Sequence, residues 1–137
     1  MFTHQTHIRV RYAETDQMGY VYYGNYAQYF ETGRVEALRS LGYTYRKMEE
    51  NGVMMPVTHM KTDFIKPALY DDLLTVKTII STLPTVRMNF TYEITNEAGI
   101  LLAVGETTLV FVNRATQRPM RCPDFLYTKL EAFIESK

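Results

Sequence analysis

The sequence predicts an α+β fold in which an antiparallel sheet wraps one long helix and a short helix ends the chain. Two observations carry this. Tyr26, Phe30, Gly33, Ala37 and Leu41 recur at three- and four-residue spacing, flanked by Tyr29 and Leu38, which is the apolar stripe of a helix. From Val57 to Asn113, segments of extended and two-residue-alternating pattern succeed one another across short turns, as strands of one sheet do. At 137 residues the chain is expected to be a single domain, 1–137, long enough for its own core.

Taken in order, Thr6 to Tyr12 alternates, with Ile8, Val10 and Tyr12 on one face and His7, Arg9 and Arg11 on the other. A loop through Asp16 leads into the long helix, Tyr26 to Leu41, whose outward positions are read as Gln28, Glu31, Arg34, Glu36 and Arg39. Asn25, with Gln28 three residues on, is the expected cap, and Gly42 the left-handed stop. Gly33 costs about 1 kcal/mol of helix propensity against alanine, so its place in the stripe implies a close approach. Thr44 to Asn51 predicts a short helix on a polar surface, closed by Asn51-Gly52.

Val57 to Ile65 predicts a strand ending at Lys66-Pro67, where proline supplies no ladder donor. Asp71-Asp72 form a turn, and Leu73 to Leu83 follows as a strand with Leu74, Val76, Thr78 and Ile80 inward. Val86 to Thr95 alternates most cleanly, and Asn96 to Gly99 is a hairpin loop. Ile100 to Asn113 is a long strand with Gly105 as a bulge or close-approach point, and Phe125 to Ile134 is the terminal helix.

Bulk properties narrow the function classes. Fifteen basic and fifteen acidic residues cancel, so nothing draws the chain as a whole to nucleic acid or anionic membrane, and neutrality favours self-association. No apolar run approaches the roughly eighteen residues of a membrane span. The single Cys122 leaves no intrachain disulfide and fits a reducing cytoplasm. Three histidines, His4, His7 and His59, offer neither a metal-ligand cluster nor a Ser/Cys–His–Asp set.

The site-like stretch is Arg11-Tyr-Ala-Glu-Thr-Asp16-Gln-Met-Gly-Tyr-Val-Tyr-Tyr23-Gly24-Asn25. A carboxylate, Asp16, stands within ten residues of a helix start. The amides of Tyr23, Gly24 and Asn25 lie where helix N–H groups lack partners, and the dipole there favours a developing oxyanion. A carboxylate beside such donors suits acyl transfer, although an aspartate before a helix is also an ordinary capping residue. Tyr20, Tyr22, Tyr23, Tyr26 and Tyr29 line an acyl pocket or serve as plain packing. Arg114, Arg118 and Arg121, with Arg87 on the clean strand, are candidates for phosphate contacts.

The run Arg9 to Tyr26 resembles the opening motif of hotdog-fold acyl-CoA thioesterases of the 4-hydroxybenzoyl-CoA thioesterase and YbgC type. Asp63-Phe-Ile-Lys-Pro-Ala-Leu-Tyr-Asp-Asp-Leu-Leu-Thr-Val76 and Phe111 to Pro119 continue the likeness over nearly the whole chain. The resemblance implies a five-stranded antiparallel sheet in the order 1-3-4-5-2 curled round the helix. It implies hydrolysis of a CoA thioester without metal or redox cofactor, by a homodimer or homotetramer whose site lies at a subunit boundary. Asp16 falls on the family's essential aspartate, acting as nucleophile or general base. Tyr23 falls where members carry tyrosine or histidine. Glu14-Thr15-Asp16 departs from the frequent Asp-Thr-Asp. A hotdog domain that binds acyl-CoA without turnover is the alternative, and a dehydratase of the same fold would want a histidine near Asp16.

Overall fold

The computed structural model describes residues 1–134. Five strands form one antiparallel sheet: β1 (Phe2–Arg9), β2 (Val57–Phe64), β3 (Leu73–Ile80), β4 (Arg87–Thr95) and β5 (Leu101–Val110). Their spatial order is β1-β3-β4-β5-β2, the order implied by the resemblance. The long helix α1 (Tyr26–Ser40) lies in the curl of the sheet. Two shorter helices, α2 (Tyr45–Glu50) and α3 (Asp124–Glu131), cover flanking parts.

The inward faces follow the alternation. Leu74, Val76, Thr78 and Ile80 of β3 and Met88, Phe90, Tyr92 and Ile94 of β4 are buried. They meet Tyr26, Tyr29, Phe30, Ala37 and Leu38 of α1, all at most 3% exposed. Two glycines let helix and sheet meet closely. A Cβ on Gly33 would lie 2.6 Å from Thr78 Oγ1 and 2.8 Å from Val76 Cγ1, and one on Gly105 would enter the Phe30 ring. Gly105 is therefore a close-approach point; the register shift in the β4–β5 ladder falls at Ile94/Thr95 instead.

Several expectations are corrected. The first strand is not Thr6 to Tyr12: its ladder runs from Phe2↔Ile80 to Arg9↔Leu73, and Tyr12 enters a 3-10 turn with 79% of its surface exposed. The third strand stops at Ile80, short of Leu83. The fifth breaks at Phe111, after which Val112–Asn113 pairs with Val53–Met54 and Arg118–Pro119 in a separate three-stranded sheet. The terminal helix ends at Glu131. The α2 surface is not wholly polar, since Met48 is buried.

Arg34, read as outward, is 7% exposed and donates from Nε to Tyr45 Oη at 3.2 Å. Among the described residues it has no carboxylate partner. Its guanidinium is covered by Tyr45, the first residue of α2, and by Tyr92 of β4. Asn25 is not a side-chain cap. Its backbone is already helical, within a 3-10 turn Tyr23–Asn25, and its Nδ2 reaches back to Glu14 O at 2.8 Å. Gly42 is the left-handed stop at φ 83°.

Candidate active site

The site begins where β1 ends. Residues Tyr12–Glu14 make a 3-10 turn that drives Glu14 inward, to 7% exposure. A carboxylate so placed needs donors. Glu14 Oε1 receives Arg11 N at 2.9 Å and Tyr29 Oη at 3.0 Å, while Arg11 Nη2 lies 3.4 Å from Oε2. Burial first, then the Glu14 hydrogen bond, pushes the Tyr29 phenol well above its ordinary range, so it stays a donor.

The Glu14 main chain also fixes the helix entry, its carbonyl accepting Tyr22 N at 2.9 Å and Asn25 Nδ2 at 2.8 Å. Between these anchors the loop reverses on itself. Asp16 N donates to Tyr20 O at 2.8 Å, Gly19 turns at φ 79°, and Val21 N donates to Ala68 O at 2.8 Å.

Asp16 is half-buried in this loop. Its Oδ1 accepts Met18 N at 2.9 Å and Tyr20 N at 3.2 Å. Its Oδ2 has no partner among the described residues, so one oxygen is pinned and the other is available. Four residues beyond the loop, Asn25 N is committed to Tyr22 O at 2.9 Å and Tyr26 N to Tyr23 O. The amides of Tyr23 and Gly24 have no such acceptor among the described residues. Of the three amides expected as oxyanion donors, Asn25 is thus already occupied. Gly24 is close-packed, as a Cβ there would lie 2.6 Å from Tyr22 Cε2.

A pocket of about 290 Å³ opens beside Asp16, lined by Met18, Tyr20, Val21, Tyr23 and Tyr26 and, from the far end of β2, Phe64, Ile65, Lys66 and Pro67. Three of the five clustered tyrosines therefore face it. Tyr22 instead packs on Tyr23, with ring centroids 4.6 Å apart, and Tyr29 lies beneath the site on Glu14. Sequence reasoning missed the Phe64–Pro67 wall and Glu14–Tyr29. The Lys66-Pro67 strand end was the visible sign of the first; nothing local marked the second.

The arginines lie elsewhere. Arg87 opens β4 opposite Val110, and the main-chain bonds Phe111 N to Val86 O and Met120 N to Phe111 O place Arg118 and Arg121 near the same end. Arg114 lines a second cleft, of about 380 Å³, with Tyr45, Met48 and Val53 to Pro56. That end of the sheet is the one where β2 begins, whereas the Asp16 pocket is walled by the residues where it finishes. Eight residues at about 3.3 Å separate them, roughly 25 Å. Lys66 is the cation that lines the Asp16 pocket.

No histidine lines that pocket: His7 meets Thr75 and His59 meets Glu106. No group of three or more His, Cys, Asp or Glu residues suited to a metal occurs among the described residues.

Residues 10–130 match the family described as the thioesterase-like superfamily. The acyl-CoA thioester hydrolase YbgC of Escherichia coli is 30% identical over 116 residues, covering 85% of this chain and 87% of its own. The 1,4-dihydroxy-2-naphthoyl-CoA hydrolase of Thermosynechococcus vestitus is 30% identical over 127 residues, 92% and 87% of the two chains. A crystal structure of the DHNA-CoA thioesterase from Staphylococcus aureus superposes with a TM-score of 0.89 at 38% identity, covering 96% and 93%. The hotdog resemblance read from the motifs is borne out by these matches.

Proposed function

The chain belongs to the thioesterase-like superfamily, and from that premise we propose that it hydrolyses an acyl-CoA thioester to free acid and coenzyme A through Asp16. The observation that carries the reading is the free Oδ2 of Asp16 in the wall of an aromatic pocket whose rim includes Tyr23, the first of two uncommitted amides.

A thioester carbonyl is activated toward addition, so one carboxylate suffices. In one route Asp16 Oδ2 takes a proton from water as its oxygen adds to the carbonyl carbon. In the other Oδ2 itself adds and forms a mixed anhydride that water then opens. In both, the carbonyl oxygen gains negative charge and accepts from Tyr23 and Gly24 N–H, the C–S bond breaks, and the thiolate leaves to be protonated as CoA. The Tyr23 side chain acts as pocket wall in this scheme and its main chain as oxyanion donor. A pocket of about 290 Å³ bounded by phenol and phenyl rings suits an aryl or medium-length acyl group.

The active form in this reading is a homo-oligomer with the site at a subunit boundary. The pocket is walled in part by the end of β2, an edge strand whose Val57, Met60 and Phe64 are 46%, 48% and 53% exposed. Arg87, Arg114, Arg118 and Arg121 remain the proposed phosphate contacts, reached across that boundary. The experiment is thiol release measured over a series of acyl-CoA chain lengths including aryl thioesters. Tight acyl-CoA binding with no thiol released at any chain length would replace hydrolysis with a binding role.

A further inference from the structure

We propose that Lys66 is a catalytic residue of the hydrolysis, its ammonium pairing with the thioester sulfur as the C–S bond breaks. This deepens the hydrolase reading and rests on it.

Asp16 is the one acidic and Lys66 the one basic residue among the described residues that line the pocket. Lys66 is exposed, and neither residue enters an ion pair among the described residues. An anion and a cation thus share a cavity of about 290 Å³ without neutralising each other by contact. Within the chain the arginines are no substitute, since a strand length of roughly 25 Å separates their end of the sheet from Asp16.

The backbone holds Lys66 in that place. Ile65 N and Lys66 N both donate to Leu102 O, at 2.8 and 3.0 Å, which fastens the end of β2 to β5. Pro67 confines the Lys66 backbone to extended conformations. Just beyond, Ala68 O accepts Val21 N at 2.8 Å, and Tyr20 bridges to Leu69. Lys66 is therefore tied on one side to the sheet and on the other to the loop that carries Asp16.

The covered and open parts of the pocket distinguish the two ends of a thioester. Val21 and Tyr26, 5% and 3% exposed, form the floor, whereas Met18 and Tyr23, 70% and 67% exposed, stand with Lys66 at the rim. An apolar acyl group gains by covering the floor, and the long anionic tail of coenzyme A has to leave past the rim. The sulfur joins the two, which puts it on the Lys66 side of the carbonyl carbon.

A single negative charge crosses the pocket during the reaction. It starts on Asp16 Oδ2. Once Asp16 has taken a proton from water, or has itself added to the carbonyl carbon, the charge stands on the carbonyl oxygen at the Tyr23 and Gly24 amides. As the carbonyl re-forms, the C–S bond breaks with its electron pair on sulfur. The Lys66 ammonium pairs with that thiolate and keeps its own proton; the thiolate takes a proton from water as the thiol departs. The neutral bound thioester makes no such pair, so the interaction strengthens only as the bond breaks and acts on the chemical step.

The test is thiol release from one acyl group carried on different thiols: coenzyme A; N-acetylcysteamine, an alkyl thiol without phosphates; and 4-nitrothiophenol, whose low-pKa thiolate leaves readily. Values of kcat/KM, which cover every step through departure of the thiol, are compared for the wild type, Lys66→Met and Lys66→Arg. Lys66→Met should lower kcat/KM about tenfold or more on both alkyl thioesters, the loss shrinking to less than about threefold on the nitrothiophenyl ester, because that leaving group needs little stabilisation. Lys66→Arg keeps the charge and should recover most of the loss. An equal loss on all the thioesters, a loss on the CoA ester alone, no loss, or a loss that arginine does not restore would each overturn the role of Lys66 and leave hydrolysis standing. Absence of thiol release from the wild type on every thioester would overturn hydrolysis itself.

Discussion

Tyr29 Oη donates to Glu14 Oε1 at 3.0 Å across fifteen residues of sequence, joining the buried face of α1 to the loop that carries Asp16. Removing the hydroxyl leaves that carboxylate oxygen with Arg11 N as its remaining close donor. Tyr29→Phe should cost about 1–3 kcal/mol in denaturant unfolding, the range for leaving a buried polar group short of a partner. It should also lower kcat, because the Asp16 loop loses an anchor. An unchanged unfolding midpoint would show that Glu14 is satisfied without Tyr29.

Gly33→Ala sets two magnitudes against each other. Alanine gains about 1 kcal/mol in helix propensity, but its Cβ would lie 2.6 Å from Thr78 Oγ1 and 2.8 Å from Val76 Cγ1. Overpacking of that kind costs about 1–3 kcal/mol. The net effect should be a lower Tm; a variant more stable than wild type would mean that β3 yields freely at this point.

Gly24→Ala should separate site from fold. Its Cβ would press on the Tyr22 ring at 2.6 Å, and Tyr22 is 47% exposed, so the ring can swing away with little loss of stability. The turn that presents the Tyr23 and Gly24 amides would shift with it. kcat should fall about tenfold or more, as expected for weakened oxyanion donors, with Tm within a few degrees of wild type. Full activity would remove these amides from the scheme.

Much of this architecture was legible in the sequence, and the exceptions share a cause. The inward faces of β3 and β4, the helix stripe and the close approaches at Gly33 and Gly105 follow from local periodicity and from glycine standing where bulk is excluded. Element ends were misplaced where tertiary pairing overrides pattern: Phe2 extends β1 because Ile80 lies across the ladder from it, and Phe111 ends β5 because the chain changes sheets. Asp16 and the Tyr20, Tyr23 and Tyr26 wall came from one contiguous stretch. Phe64 to Pro67, Glu14 with Tyr29, and buried Arg34 did not, because each is defined by a partner distant in sequence.

Cys122 bears on how the enzyme is assayed. Burial pushes its thiol up to about 12, and it is 7% exposed. A raised pKa means less thiolate at mildly alkaline pH, and hence slower reaction with disulfide reagents. The native protein should react at least about a hundredfold more slowly than the unfolded chain, so thiol release reports product CoA. Rapid native labelling would contradict the burial.

The most direct test of the whole account is Asp16→Asn, which keeps the side-chain shape and the Oδ1 acceptor but removes the base or nucleophile. Turnover measured by thiol release from the best acyl-CoA of the series should fall at least about a hundredfold, with Tm and acyl-CoA affinity near those of the wild type. Thiol release close to the wild-type rate would contradict the assignment of Asp16 and, with it, the chemistry proposed for this pocket.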